Sequence, residues 1–477
     1  MILQSDHYWL LNAQIPVSLL AEPFPDSLPN SLPDSTCLAA SVAAVHLEIQ
    51  AGKIAQIVAA SSQLSDQLFG QLFGQTPTLD LHQGLVWPCF VDLHTHLDKG
   101  HVWPRQPNPD GSFDAALTAV QSDYRHWTAD DLYRRMEFGL KCAYAHGSSA
   151  IRTHLDVGAH LKTSLEVFSA LRQAWASRIT MQAVPLVTLD YYLTPAGIDL
   201  ADQMAAIGGC LGGLPMMGES LAAQLDRLFE LAQARQMPLD FHTDESGDPA
   251  AITLRQVAEA AIRHDFSEQI VCGHCCSLAV QSAEQVLATL SAVRQAKIGV
   301  VSLPMCNLYL QDRNQSASAQ FTQALGEPLA QLQQLGSIQI QTQTPRWRGV
   351  TLVHELKQFG IPVAFASDNC RDPFYAYGDH DGYEVFTQAV RIAQLDAPHG
   401  DWCRSVTATP ADLMGLPALG RIGLGQSADL ILFQARSFSE LLARHQSNRR
   451  VLRGGKLIDS SLPDYAELDD LLRSSSS

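Results

Sequence analysis

The stretch PCFVDLHTHLDKG, residues 88–100, runs from a short apolar segment directly into two histidines two positions apart. Side chains at i and i+2 of an extended strand point the same way. His94 and His96 therefore face one side and can share a metal ion. A lone H-x-H pair is weak evidence, because histidines at this spacing also occur in cores and on surfaces. What gives the pair weight is that other apolar segments end in the same manner. FHTDE (241–245) carries His242 and Glu245, CGH (272–274) ends in His274, and ASDN (366–369) carries Asp368.

Eight short apolar segments punctuate the middle of the chain, near 88–94, 150–156, 181–187, 206–212, 238–243, 269–274, 298–303 and 361–367. Helix-period stretches such as 220–236 and 282–296 separate several of them, which is the pattern of parallel β/α units. Eight such units predict an α/β fold with a closed (β/α)8 TIM-type barrel, whose C-terminal rim carries the functional groups. An open doubly wound sheet usually shows a GxGxxG turn after its first strand, and none is present. Strand-like segments at 8–19, 43–58, 428–433 and 448–459, the last with a Gly454-Gly455 turn, predict a small β-sandwich built from both chain ends. The expected division is 1–84 with 418–465 for the small domain and 85–417 for the barrel. The Gln- and Ser-rich segment 314–346 reads as an insertion at the active-site end, either a lid or a surface excursion, and 464–477 as a short helix with a frayed tail.

The 477 residues carry a net charge of −17, with 46% hydrophobic and 17% charged residues. That balance argues for an ordered globular protein and against nucleic acid as the main partner. No signal peptide, no membrane-length apolar run and no disulfide framework among ten cysteines is evident, so a reduced cytoplasmic setting is expected. A homo-oligomer is left open.

His94, His96 and His242 supply imidazole nitrogens and Asp368 a carboxylate. This mixed set suits one divalent ion, Zn(II) or Fe(II), with a position left for water. Such an ion brings the pKa of water from about 15.7 toward 7. Glu245 is placed to shuttle a proton to a leaving amine, Asp368 to accept the water's proton, and His274 to hydrogen-bond the attacking or developing oxygen. His154, in RTHLDV (152–157), either lines the pocket or supports it. Lys99 is either a pocket residue or a surface or salt-bridging lysine. The Cys272, Cys275 and Cys276 cluster lacks a second cysteine pair for structural zinc, and His354-Glu355 does not complete an H-E-x-x-H motif.

The motifs at 88–100, 152–157, 241–245 and 272–274, with NLYLQDR (307–313), ASDNCRDPFYAYG (366–378) and GLGQSADLILF (423–433), resemble the amidohydrolase superfamily and, within it, the cytosine deaminase-like group. The resemblance implies His94, His96, His242 and Asp368 as ligands, Glu245 as proton shuttle and His274 as a substrate or oxyanion contact. It also implies substrate-binding positions. Thr188 or a neighbour stands where the group has glutamine, Asn369 where a second Asp is common, and Phe374 where a tryptophan packs on the ring. These departures put cytosine itself in doubt. Members with two metals carry a lysine on the fourth strand. AAIGGCLGGL (205–214) has none, which favours one metal. The expected function is metal-dependent hydrolytic deamination of a small amino-substituted N-heterocycle. The alternatives are cleavage of a cyclic amide or N-alkylamino group on a triazine- or pyrimidine-like ring, and a non-catalytic binding protein on the same fold.

Overall fold

The computed structural model describes residues 2–22, 42–60, 73–312, 345, 347–396 and 401–472. The 314–346 insertion lies outside the described residues apart from Pro345, as does the tail after Leu472.

The N-terminal segment forms β1 (His7–Pro16), β2 (Val42–Gln50), β3 (Lys53–Ala59) and β4 (Thr78–Asp80) in one sheet of order β3-β2-β1-β4. β5 (Val86–Pro88) precedes the barrel strands and belongs to a different sheet. The barrel strands are β6 (Phe90–Thr95), β7 (Ser148–Asp156), β8 (Thr180–Leu186), β9 (Leu211–Gly213), β10 (Leu239–Thr243), β11 (Ile270–His274), β12 (Gly299–Ser302) and β13 (Val363–Phe365). β14 (Leu430–Leu432), β15 (Arg450–Arg453) and β16 (Lys456–Leu457) close the list and pair with β5 in the order β16-β15-β14-β5. Gly454 and Gly455, both at positive φ, make the two-residue turn between β15 and β16, as a right-twisted hairpin requires. The stretch read as beginning the first barrel strand at 88 thus splits. Val86–Pro88 pairs antiparallel with β14, and only from Phe90 does the chain enter the barrel.

All barrel ladders are parallel. β6-β7-β8 form one run and β9 to β13 the other. Two contacts join the runs. Leu214 N–H donates to the Val187 carbonyl at 2.8 Å beside the Thr188–Leu214 bridge, and Asp368 N–H donates to the His94 carbonyl at 2.9 Å beside the Thr95–Asp368 bridge. Eight strands therefore close into a barrel. Five of them contribute Val91, Leu93, Ala150, Val271, Val301 and Ala364 to one apolar cluster, capped by Ala411 and Leu413 of the helix Ala408–Leu413.

Helices fill the intervals where the 3.6-residue period predicts them. Leu221–Arg235 and Ala283–Gln295 match the expected stretches, the second opened by a Ser282/Gln285 capping box. The fourth strand is shorter and later than 206–212. The preceding helix Pro195–Ala206 uses the start of that range, Gly208 turns the chain at φ +61°, and the strand begins at Leu211. Gly213 has φ +138°, and a Cβ there would lie 2.1 Å from the Val187 carbonyl oxygen. Gly213→Ala is expected to cost about 3 kcal/mol, seen as a lower melting temperature; an unchanged transition would remove the close approach.

Candidate metal centre

The strand ends gather five histidines and one aspartate, all buried: His94, His96, His154, His242, His274 and Asp368. His96 Nε2 lies 3.2 Å from Asp368 Oδ1 and 3.3 Å from His242 Nε2, and His94 Nε2 lies 3.5 Å from Asp368 Oδ1. Donor atoms of His94, His96 and Asp368 fall within 4.8 Å of one another, and so do those of His94, His154 and His242.

Most of these donors have no partner in the protein. Both ring nitrogens of His94 and His154, Nδ1 of His96 and of His242, and both Asp368 oxygens are buried without a hydrogen bond. Buried polar atoms are nearly always paired, so this concentration of orphans fits a cation. Burial first, and then neighbouring positive groups, hold His94, His96, His154 and His242 well below the usual histidine pKa. Neutral imidazoles keep the lone pairs that a metal needs. Burial also pushes the Asp368 carboxyl up to about 7, a shift that a nearby cation opposes.

The local chain explains the placement. Asp368 sits at φ +63°, its N–H tied to the His94 carbonyl. Ser367 just before it donates to Asp92, Oγ to Oδ2 at 2.6 Å and N to Oδ1 at 3.1 Å. Asp244, at φ +48°, turns the chain after His242. Its carboxylate accepts from Thr253 N at 2.7 Å, Thr253 Oγ1 at 2.8 Å and Leu254 N at 3.0 Å at the start of the helix Thr253–Arg263. That anchored turn presents Glu245. Beneath the histidines, Arg152 donates to Asp240 Oδ2 at 2.7 Å, while Asp240 Oδ1 stands 3.8 Å from His154 Nε2. Gly273 leaves room for the His94 ring, since a Cβ there would sit 3.1 Å from His94 Cε1.

Glu245, His274 and Asn307 form a polar triangle beside the cluster. Glu245 Oε1 is 3.1 Å from His274 Nδ1 and accepts from Asn307 Nδ2 at 3.1 Å, and Asn307 Nδ2 is 3.0 Å from His274 Nδ1. Burial opposes a charge on His274, but Glu245, Asp368 and Asn307 outweigh it and leave its pKa raised. Its Nε2 has no partner.

Other expected residues lie differently. His154 is within the histidine cluster itself, 4.1 Å from His94 and 4.6 Å from His242 between ring centroids. Lys99 is buried rather than on the surface, donating to Asp156 Oδ1 at 2.5 Å with its ammonium 5.6 Å from the Phe374 ring centroid. Asn369 spends its side chain inside the turn, Nδ2 donating to Asp372 Oδ2 at 2.8 Å and Oδ1 facing the Cys306 thiol at 3.7 Å. Thr188 is exposed past the end of β8, in the bridge to Leu214. Asn307 was not singled out from the sequence. Its only signal there was its place at the head of NLYLQDR.

The model of the amidohydrolase family matches residues 120–459. A pterin deaminase of Rhizobium rhizogenes is 49% identical over 396 residues, covering 82% of this chain and 85% of that protein. The chain belongs to the amidohydrolase family. An N-isopropylammelide isopropyl amidohydrolase of a Pseudomonas species is 22% identical, over 80% of this chain and 87% of that one. Among solved structures, a 5-methylcytosine deaminase from Klebsiella pneumoniae superposes with a TM-score of 0.73 at 22% identity, covering 94% of this chain and 97% of that one, a likeness of fold. This amidohydrolase has a donor set that fits a divalent cation. Among the described residues no helix is long and apolar enough to cross a membrane.

His242→Ala is expected to lower bound metal relative to the parent chain, read by elemental analysis of gently purified protein. An unchanged content would take His242 out of the donor set.

Proposed function

We propose that this amidohydrolase is a hydrolytic deaminase of a pterin-like ring, releasing ammonia from an amino-substituted fused N-heterocycle. The observation that carries the reading is the Glu245–His274–Asn307 triangle set against a buried cluster of unpartnered donors. The 49% identity to a pterin deaminase supports the substrate class. The barrel is the proposed catalytic unit, with the sheets from residues 1–84 and 418–465 as its support.

His94, His96, His242 and Asp368 are the proposed ligands, with His154 flanking them. Bound there, a divalent cation supplies Lewis acidity and brings the pKa of water from about 15.7 toward 7. Glu245 takes up the proton released when water adds to the ring carbon and delivers it to the departing amine, so that C–NH2 and H2O become C=O and NH3. His274, held by Glu245 through Nδ1, is free to donate from Nε2 to the substrate oxygen or to the attacking one. Asn307 fixes the separation of Glu245 and His274, so that neither side chain has to reorganise as charge moves. Lys99, paired with Asp156, lies against Phe374 near this rim, and the aromatic face suits stacking on a planar heterocycle.

Glu245→Gln keeps the metal donors and removes the proton carrier. Turnover is expected to fall by about 10²–10⁴-fold with metal content retained; a parental kcat would exclude Glu245 from the proton path. With the parent enzyme, ammonia release from pterin is expected to exceed that from cytosine, and N-isopropylammelide is expected to release little isopropylamine. Preferential release of the alkylamine would replace this reading with N-dealkylation.

A further inference from the structure

A second group of metal-type donors lies outside the proposed catalytic set. His101, Cys370 and His380 are each about 1% exposed, and one donor atom from each falls within 4.8 Å of the others. Both ring nitrogens of His101 and Nε2 of His380 are buried with no hydrogen-bond partner. We propose that this cluster is a closed structural metal site, taking a zinc-type ion on two imidazoles and one thiolate, in addition to the catalytic cation.

The chain supplies these donors from two loops already stitched together, the one after β6 for His101 and the one after β13 for Cys370 and His380. His101 follows the H-x-H segment, and its N–H donates to the Cys370 carbonyl at 3.0 Å. Two residues on, Trp103 N–H donates to the Arg371 carbonyl at 2.8 Å. His101, Arg371 and His380 all hold positive φ, 66°, 49° and 52°, a strain that needs support from the surroundings. A cation held by His101, Cys370 and His380 would provide it.

The tautomer of His380 is fixed for ligation. Its Nδ1 is 3.2 Å from Ser367 Oγ, and that hydroxyl spends its proton on Asp92 Oδ2 at 2.6 Å. Ser367 Oγ therefore accepts from Nδ1–H, which leaves the lone pair on Nε2. An outer hydrogen bond that orients a ligating imidazole in this way is a regular feature of metal sites. Gly139, on the helix Ala129–His146, keeps the space beside Nε2 open, since a Cβ there would lie 3.2 Å from it.

The surrounding charge is mixed. Asp379 faces His101, His380 and Cys370, while Arg371 and Arg135 act against a positive charge at His101, and His146 does so at His380. Thiolate and imidazole together select zinc-like ions over calcium or magnesium. Binding replaces the Cys370 thiol proton with the cation and releases that proton to solvent. Near the three donors lie the buried Cys142 thiol and the half-buried Asp379 carboxylate, which interact with each other, the carboxylate also bound to His146 Nε2 at 2.8 Å. Because Asp368 lies two residues before Cys370, a cation here would stiffen the turn that carries a proposed catalytic ligand.

Cobalt substitution separates the two sites, because the proposed catalytic donors are nitrogen and oxygen only. The full chain loaded with Co(II) is expected to show a thiolate-to-cobalt charge-transfer band and about two metal equivalents per chain. Cys370→Ser is expected to lose the band and about half the metal, whereas His242→Ala keeps the band. A parent protein with no such band, or a band that survives in Cys370→Ser, overturns the proposal. His380→Gln, which should also lose the band, serves if Cys370→Ser does not fold, and the measurement on the parent requires no variant.

Discussion

The Asp368 N–H to His94 carbonyl hydrogen bond, 2.9 Å long, makes one of the two junctions that close the barrel and brings the site's residues together there. It joins the last strand to the first. The same two residues bring a carboxylate and an imidazole to 3.5 Å, with His96 at 3.2 Å from that carboxylate. Without the closure, His94 and His96 would be a pair of histidines on an edge strand. With it, they become part of a buried cluster in which several polar atoms lack partners in the protein. Each unpaired buried donor or acceptor costs about 1–3 kcal/mol, so the cluster is intelligible as a folded arrangement only with a ligand that satisfies many of them together.

The turns beyond the strands direct the chemistry. Asp244, His274, Cys275 and Asp368 all adopt positive φ at or just beyond the ends of their strands, and each departs from the direction in which an extended chain would have continued. Asp244 is held by three hydrogen bonds to the next helix, and Ser367 by two to Asp92. These supports are buried hydrogen bonds. Glu245 and His274 can therefore face the cluster without forming its base. The Arg152–Asp240 pair performs a related service, placing an already neutralised carboxylate under His154.

The sequence made the barrel legible because eight apolar segments alternate with amphipathic ones, and the rim was legible because polar residues end four of those segments. His94, His96, His242 and Asp368 come together for that reason. What the period could not reveal was side-chain commitment. Asn369 looks free in the sequence, yet Asp372, three residues on, captures its amide. Lys99 reads as a surface or salt-bridging lysine, and only the fold brings Asp156, 57 residues on, against it as the buried partner. Asn307 has no metal or acid–base character of its own, and only the fold places it between Glu245 and His274. The fourth strand was misplaced because its glycines were read as part of a strand when the first of them, Gly208, turns the chain.

Family membership settles the class of chemistry. The most direct measurement of the central claim is anomalous X-ray scattering from crystals of the purified protein, recorded on both sides of the metal absorption edge. The account predicts an anomalous peak enclosed by His94, His96, His242 and Asp368. Density there for ordered water alone, with the imidazoles hydrogen-bonded to it and no anomalous signal after incubation with Zn(II) or Fe(II), would contradict it.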